Sequence, residues 1–217
     1  NSKERVVQNS FLARLPKPKR KTKRPLVVVL GGLVGSGKRT VARELAKKIG
    51  AVIIKADEIR VALRRLNWSY DNVREIALNV GREAVRRGNS IVVDSDFVDA
   101  AKRNQIKGLA KEKKLPVYFI RVVCDADVAV GRIVSATYSK NDLFGGAGTL
   151  WKGANRGAVV KIREMWRRTP HHYVWDSKNG GQFKLKKLPF PIFATVDATN
   201  EGQWKKKVAI LAKQLRK

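Results

Sequence analysis

Apolar positions along this chain come in short blocks separated by segments of helical spacing. Leu26–Leu30 is an unbroken apolar run, the pattern of a strand buried on both faces of a sheet. A glycine-rich stretch follows. Thr40–Ile49 then carries Val41, Ala42, Leu45 and Ile49 on one helical face, and Gly50 stops it. The same alternation continues to the end of the chain. Further strands are predicted at Ala51–Ile54, Ser90–Val93, Pro116–Val123 and Pro191–Val196. Helices are predicted at Glu58–Leu66, Asn72–Arg87, Ala100–Lys113, from an Asp125 cap to about Thr137, at Ala158–Arg168 and at Gln203–Arg216. Strands alternating with helices predict an α/β fold with a parallel, five-stranded sheet and helices on both faces.

Two segments depart from this pattern. Residues 138–157 interleave Gly145, Gly146, Gly148, Gly153 and Gly157 with Lys140, Lys152 and Arg156, a composition that predicts a mobile segment rather than a packed element. Residues 1–25 contain the cationic, proline-bracketed run Lys17–Pro25, which has no hydrophobic period. They are expected to form a basic, flexible tail preceding one domain over residues 26–217.

Charge adds a partner class. The chain has 47 Lys+Arg against 18 Asp+Glu, a formal net charge of +29 over 217 residues. That much self-repulsion is relieved by a polyanion, so nucleic acid is the expected partner, with RNA favoured over DNA. No basic amphipathic helix with an aromatic face marks an anionic membrane as the alternative. The single cysteine, Cys124, excludes an internal disulfide framework, and a cytoplasmic location is expected. His171 and His172 lack neighbours that would complete a zinc site.

The chemistry concentrates where the first strand ends. Gly32-Leu33-Val34-Gly35-Ser36-Gly37-Lys38 satisfies G-x-x-x-x-G-K between an apolar strand and a helix. Glycines let backbone N–H groups turn around a polyphosphate, the helix N-terminus adds partial positive charge, and Lys38 reaches the transferred phosphate. Gly32, Gly35, Ser36, Gly37, Lys38, Arg39 and Thr40 are thus the expected ATP-binding residues. The next position departs from the motif: a Ser or Thr hydroxyl for Mg²⁺ is expected there, and Arg39 stands in its place, with Thr40 one residue later. Three readings follow: an engineered inactivating change, a natural loss of catalysis, or compensation by Thr40 or a carboxylate. Asp57 follows the second strand and is positioned to accept a proton from an attacking hydroxyl, or to cap the following helix. Asp94 ends the third strand and is the candidate for supporting Mg²⁺, with Asp96 beside it. Among Trp68, Tyr70, Trp151, Trp166, Tyr173 and Trp175, Trp151 in the glycine-rich lid is the best candidate for stacking on a base.

Together, Gly32–Thr40, Ala56-Asp57-Glu58-Ile59-Arg60 and Ile91-Val92-Val93-Asp94 resemble the polynucleotide 5′-hydroxyl kinase branch of P-loop proteins, with zeta-toxin-like kinases as neighbours. The resemblance covers roughly residues 26–137. It implies an adenylate-kinase-like core, an ATP–Mg²⁺ donor, a lid after the fourth strand and a 5′-hydroxyl of RNA or DNA as acceptor. On that resemblance Asp57 is the general base, Arg60 holds a substrate phosphate, and a lid cation such as Arg132 or Arg156 stabilises the transferring phosphoryl group. The other functions considered are a catalytically weakened nucleotide-binding protein associated with RNA or ribosomes, and a small-metabolite kinase.

Overall fold

The computed structural model describes residues 2–16, 24–139, 142–145 and 156–216. Five parallel strands form the main sheet: β1 (Val27–Gly31), β2 (Val52–Lys55), β3 (Ile91–Asp94), β4 (Val117–Val123) and β7 (Ala194–Asp197), in the order β2-β3-β1-β4-β7. β1 lies at the centre, with Val27 opposite both Ile91 and Val117. Its four apolar residues Val27–Leu30 have no exposure at all, as the unbroken apolar run requires.

Alternate residues of β1 feed two separate cores, because successive strand side chains point to opposite faces. Val27 and Val29 pack with Ile54, Ile91 and Val93 beneath α3 (Ala56–Arg65), α4 (Val73–Arg86) and α5 (Ala100–Glu112). Val28 and Leu30 pack with Val92, Ile120 and Val122 beneath α2 (Lys38–Ile49) and α8 (Glu201–Leu215). α6 (Ala126–Ser135) and α7 (Arg156–His172) form a smaller cluster around Ile133, Ala158 and Met165. Capping follows the sequence: Gly50 ends α2 in the left-handed conformation, and the Asp125 side chain accepts from the N–H groups of Asp127 and Val128.

The first half of the expected tail is not a tail. Residues Ser2–Ala13 form helix α1, which packs on α3 and α4 with Val7 and Leu15 buried in the larger core. Glu4 accepts hydrogen bonds from Trp68 Nε1 at 3.0 Å and Asn72 Nδ2 at 2.9 Å, and Asn79 Nδ2 donates to Gln8 at 3.0 Å. Trp68 is therefore tied to α1 rather than free to stack on a base. Residues 17–23 of the basic run lie outside the described residues.

Two further strands were not expected. β5 (Tyr173–Asp176) and β6 (Gln182–Leu185) make a separate antiparallel ribbon between α7 and β7, closed by a short 3-10 turn at Lys178–Gly180. Of the expected lid, residues 140, 141 and 146–155, including Trp151, lie outside the described residues. No helix among the described residues is long and apolar enough to cross a membrane.

Candidate functional site

The phosphate-loop sequence takes the strand–turn–helix geometry its spacing demands. Gly32 has φ +154°, and a Cβ there would come within 2.2 Å of the Val122 carbonyl oxygen. Glycine is required because the loop turns directly against β4. Gly37, with φ +85°, opens α2 in the left-handed conformation, and no side chain caps the helix. The helix N-terminus thus offers its N–H groups and partial positive charge to an anion. Ser36 Oγ is buried without a hydrogen-bond partner among the described residues. A buried hydroxyl of this kind is costly unless something bonds it, and a phosphate oxygen in the loop is a fitting partner.

Lys38 folds back over the loop. Its Nζ donates to the carbonyls of Gly32 at 2.7 Å and Leu33 at 2.8 Å. Burial pushes its pKa down, while Asp94 and Asp96 oppose the shift. Asp94, at the end of β3, is pushed up by burial, against the pull of Lys38 and Arg39. The two groups are therefore coupled across the floor of the site.

Asp57 lies in the first turn of α3 but caps nothing. Its Oδ1 accepts from Arg60 Nη1 at 3.0 Å and its Oδ2 faces Arg39 Nη2 at 3.4 Å. Arg39 is exposed and reaches across from α2 to α3 to make that contact. Thr40, one residue on, is exposed on α2. A cleft of about 370 Å³ opens next to this cluster, lined by Arg60, Tyr70, Arg74, Asp94, Lys102 and an apolar floor that includes Ile106.

The predicted cations divide. Arg132, on α6, donates to the carbonyls of Ala198 at 2.8 Å and Thr199 at 3.1 Å, and its Nη1 lies 3.3 Å from Cys124 Sγ. It borders Gly37, where a Cβ would be 3.5 Å from Nη1. Arg156 begins α7. The same helix brings in two cations that the sequence reading did not select. Lys161 is pushed down by burial and by the charge of Arg39, with Asp57 opposing, and Arg168 acts on the charge of Lys38. They are seven residues apart and so share one face of α7, the signal by which they could have been found. Arg64 of α3 ties residues 142 and 143 to this wall, donating to the carbonyls of Asp142 and Leu143, both at 2.9 Å.

Beneath the loop, His172 ends α7 almost fully buried, with Nε2 3.3 Å from Asp96 Oδ1 but in poor alignment for a hydrogen bond. Burial raises the Asp96 pKa, yet the imidazole, the Val98 N–H and the charge of Lys38 together outweigh it and hold the carboxyl down to about 2. Among the described residues no group of three or more His, Cys, Asp or Glu is placed to hold a metal ion by itself. Mg²⁺ in kinase sites is held largely by phosphates and one or two carboxylates, so Asp94 suffices as donor, although a guanidinium stands where a hydroxyl is usual.

Residues 27–143 match the family described as AAA domain (AAA_33). The chain belongs to this family. An uncharacterised protein of Mycobacterium tuberculosis is 27% identical over 132 residues, covering 54% of this chain and 26% of its own length. The chain thus spans about a quarter of that relative. A cytidylate kinase of Ignicoccus hospitalis is 39% identical over 77 residues, 30% of this chain and 45% of that protein. Among solved structures, a protein of Chloroflexus aurantiacus assigned as a kinase superposes with a TM-score of 0.58 at 19% identity, covering 88% of this chain and 98% of that one. The APS kinase of Mycobacterium tuberculosis, solved with AMPPNP and APS, gives a TM-score of 0.53 at 15% identity, covering 89% and 99%. The AAA domain of this chain therefore has a P-loop kinase-like fold. Its matched region runs from β1 to Leu143 and takes in the phosphate loop, Asp57, Arg60, Asp94 and Arg132. The α7 cations and the β5–β6 ribbon lie beyond it.

Proposed function

We propose that this AAA domain is an ATP-dependent phosphotransferase that moves the γ-phosphoryl group of ATP to an acceptor hydroxyl. The observation that carries this reading is the carboxylate of Asp57, bracketed by Arg39 and Arg60 and close enough to Lys38 and Asp94 to act on their charge, with Arg60 and Asp94 lining the adjoining cleft. Gly32, Gly35, Ser36, Gly37, Lys38, Arg39 and Thr40 cradle the polyphosphate. Asp57 takes the proton of the acceptor hydroxyl as its oxygen bonds to the γ-phosphorus and the bond to the ADP oxygen breaks. Arg60 holds an anionic part of the acceptor. Lys38, Lys161 and Arg168 supply positive charge to the transferring group, the role first expected of Arg132 and Arg156. Arg132 instead frames the base end of the nucleotide, since it is bound to carbonyls at the end of β7. Asp94 is the carboxylate for Mg²⁺, which neutralises phosphate charge when bound.

The acceptor we favour is the 5′-hydroxyl of RNA or DNA. A net charge of +29 supports it, as does a cleft whose volume of about 370 Å³ suits a terminal nucleoside with Arg60, Arg74 and Lys102 at hand for phosphates. Arg39 favours a second reading, a weakened enzyme that binds nucleotide without turning it over, because its guanidinium occupies the carboxylate needed as base. One experiment separates the two. Transfer of label from γ-³²P-ATP is measured against 5′-hydroxyl oligonucleotides and small hydroxylated anions, with Mg²⁺ and with chelator. Label on the oligonucleotide supports the favoured acceptor, label only on a small anion replaces it, and ATP binding without transfer selects the second reading.

A further inference from the structure

The β5–β6 ribbon takes no part in the chemistry above, and its side chains are arranged as a surface. Pairing sets Tyr173 opposite Leu185 and Trp175 opposite Phe183. Because strand side chains alternate with period two, those four residues share one face of the ribbon. Tyr173 is half-buried at the root, but Trp175 and Phe183 are each 55% exposed and Leu185 47%. The two rings meet edge to face, 4.9 Å apart at 70°. Gly181, with φ +82°, lies so close under Trp175 that a Cβ would come within 2.3 Å of the indole. The indole is thus seated on the turn.

The root of the ribbon is rigid. Arg121, buried in β4, donates to the His172 carbonyl at 2.6 Å and the Lys186 carbonyl at 2.8 Å, and the Lys186 N–H donates to His172 at 2.9 Å. Both ends of the ribbon are therefore clamped to the main sheet while its aromatic face stays open. An isolated two-stranded ribbon is marginal in water, so a fixed ribbon with exposed rings calls for an occupant.

Charge selects that occupant. Between Asp176 and Asp197 the chain has no acidic residue. The same stretch carries Lys178, Lys184, Lys186 and Lys187, all exposed. Lys184 pairs with Asp176, which leaves Lys178, Lys186 and Lys187 without an acidic partner among the described residues. Open rings flanked by ammonium groups without an acidic partner complement a phosphodiester backbone with unstacked bases. A second copy of the chain would bring the same cations into repulsion. Paired bases in a duplex present no open ring face to the indole.

We propose that the aromatic face of residues 173–185 is a stacking platform for single-stranded nucleic acid, with Trp175 and Phe183 holding bases and Lys178, Lys186 and Lys187 holding phosphates. Binding there does not require the bound strand to be the phosphoryl acceptor.

The test is fluorescence anisotropy of a labelled 15-nucleotide oligouridylate with the full chain, at several salt concentrations and without ATP. Trp175→Leu and Phe183→Ala are each expected to weaken binding about tenfold, whereas Trp175→Phe stays within a few-fold of the unaltered chain. Trp175→Leu leaves the log–log salt slope unchanged, while Lys187→Ala lowers it by about 0.7. Calorimetry with ATP checks that each variant keeps its fold and phosphate loop. Absence of oligouridylate binding by the unaltered chain, or equal binding by Trp175→Leu, overturns the proposal. So does a concentration-dependent dimer that Trp175→Leu dissolves without altering oligouridylate affinity. A strand that binds through Trp175 but receives no phosphate leaves the platform standing and removes only the nucleic-acid acceptor.

Discussion

The guanidinium of Arg39 faces the carboxylate of Asp57 at 3.4 Å, across the gap between α2 and α3. Arg60 holds the other oxygen of the same carboxylate at 3.0 Å. Both oxygens of the proposed base are thus engaged by cations, and a guanidinium contributes nothing to metal coordination. Both partners of the Arg39–Asp57 pair are substantially exposed, so the contact itself is worth about 1 kcal/mol or less. Its importance is positional. Replacing Arg39 with Ser frees one carboxylate oxygen and restores a hydroxyl at the first turn of α2. Mg²⁺-dependent turnover should rise about tenfold or more, a barrier change of about 1.4 kcal/mol, read by initial rates across a Mg²⁺ series. Equal or lower turnover in Arg39→Ser means that the guanidinium takes part in transfer.

Lys38 and Asp57 should separate binding from chemistry. Lys38→Ala removes the buried ammonium that bridges the carbonyls of Gly32 and Leu33, and ATP affinity is expected to fall, as measured by calorimetry. Asp57→Asn keeps the shape of the side chain and loses only proton acceptance. Transfer should drop by about two to four powers of ten while ATP affinity holds. Turnover surviving within a few-fold would place the base elsewhere, with Asp94 the nearest alternative.

Helix α1 gives a prediction about stability. Val7 is buried in the larger core, and its loss to Ala removes two methyl groups from that packing. At about 0.8 kcal/mol per buried carbon, Val7→Ala should cost about 1.6 kcal/mol, measurable by urea denaturation. Deleting residues 1–16 should lower stability further, since Leu15, Phe11 and Leu12 leave the core as well. A deletion that melts with the full chain would show that α1 only rests on the domain.

Why the sequence disclosed some of this and hid the rest follows from contact range. Val27–Leu30 and the helical stripe Val41, Leu45, Ile49 are local patterns, and each fixes its own element. Asp57 and Asp94 were accessible because parallel strands end at one edge, so a residue just past β2 and the last residue of β3 meet there. Helix α1 was hidden because what holds it is distant in sequence: Glu4 meets Trp68 and Asn72, and a cationic run without hydrophobic period follows it. The β5–β6 ribbon was hidden for the opposite reason. Its strands of four residues bury too little to show a hydrophobic period, and Trp175 and Phe183 face solvent. Lys161 and Arg168 disappear among the many cations of α7 until the fold shows which face meets the phosphate loop.

Asp96 makes a prediction in pH. Its folded pKa is held down to about 2 against an ordinary 3.8, by His172 first and then by the Val98 N–H and Lys38, despite burial. A depressed carboxylate contributes stability that is fully present above its unfolded pKa and is lost as pH falls through the folded one. The window therefore runs from about pH 4 down to about pH 2. The side chain is only 12% exposed, so solvent screens little of the interaction. A shift of this size corresponds to about 2 kcal/mol of stability at neutral pH. Urea denaturation at stepped acid pH should show the unaltered chain losing about that much across the window beyond what Asp96→Asn loses. His172→Gln should flatten the same limb, because the imidazole beside the carboxylate is gone. An identical acid limb in all three proteins would mean that the imidazole does not act on Asp96, and that their 3.3 Å approach is packing alone.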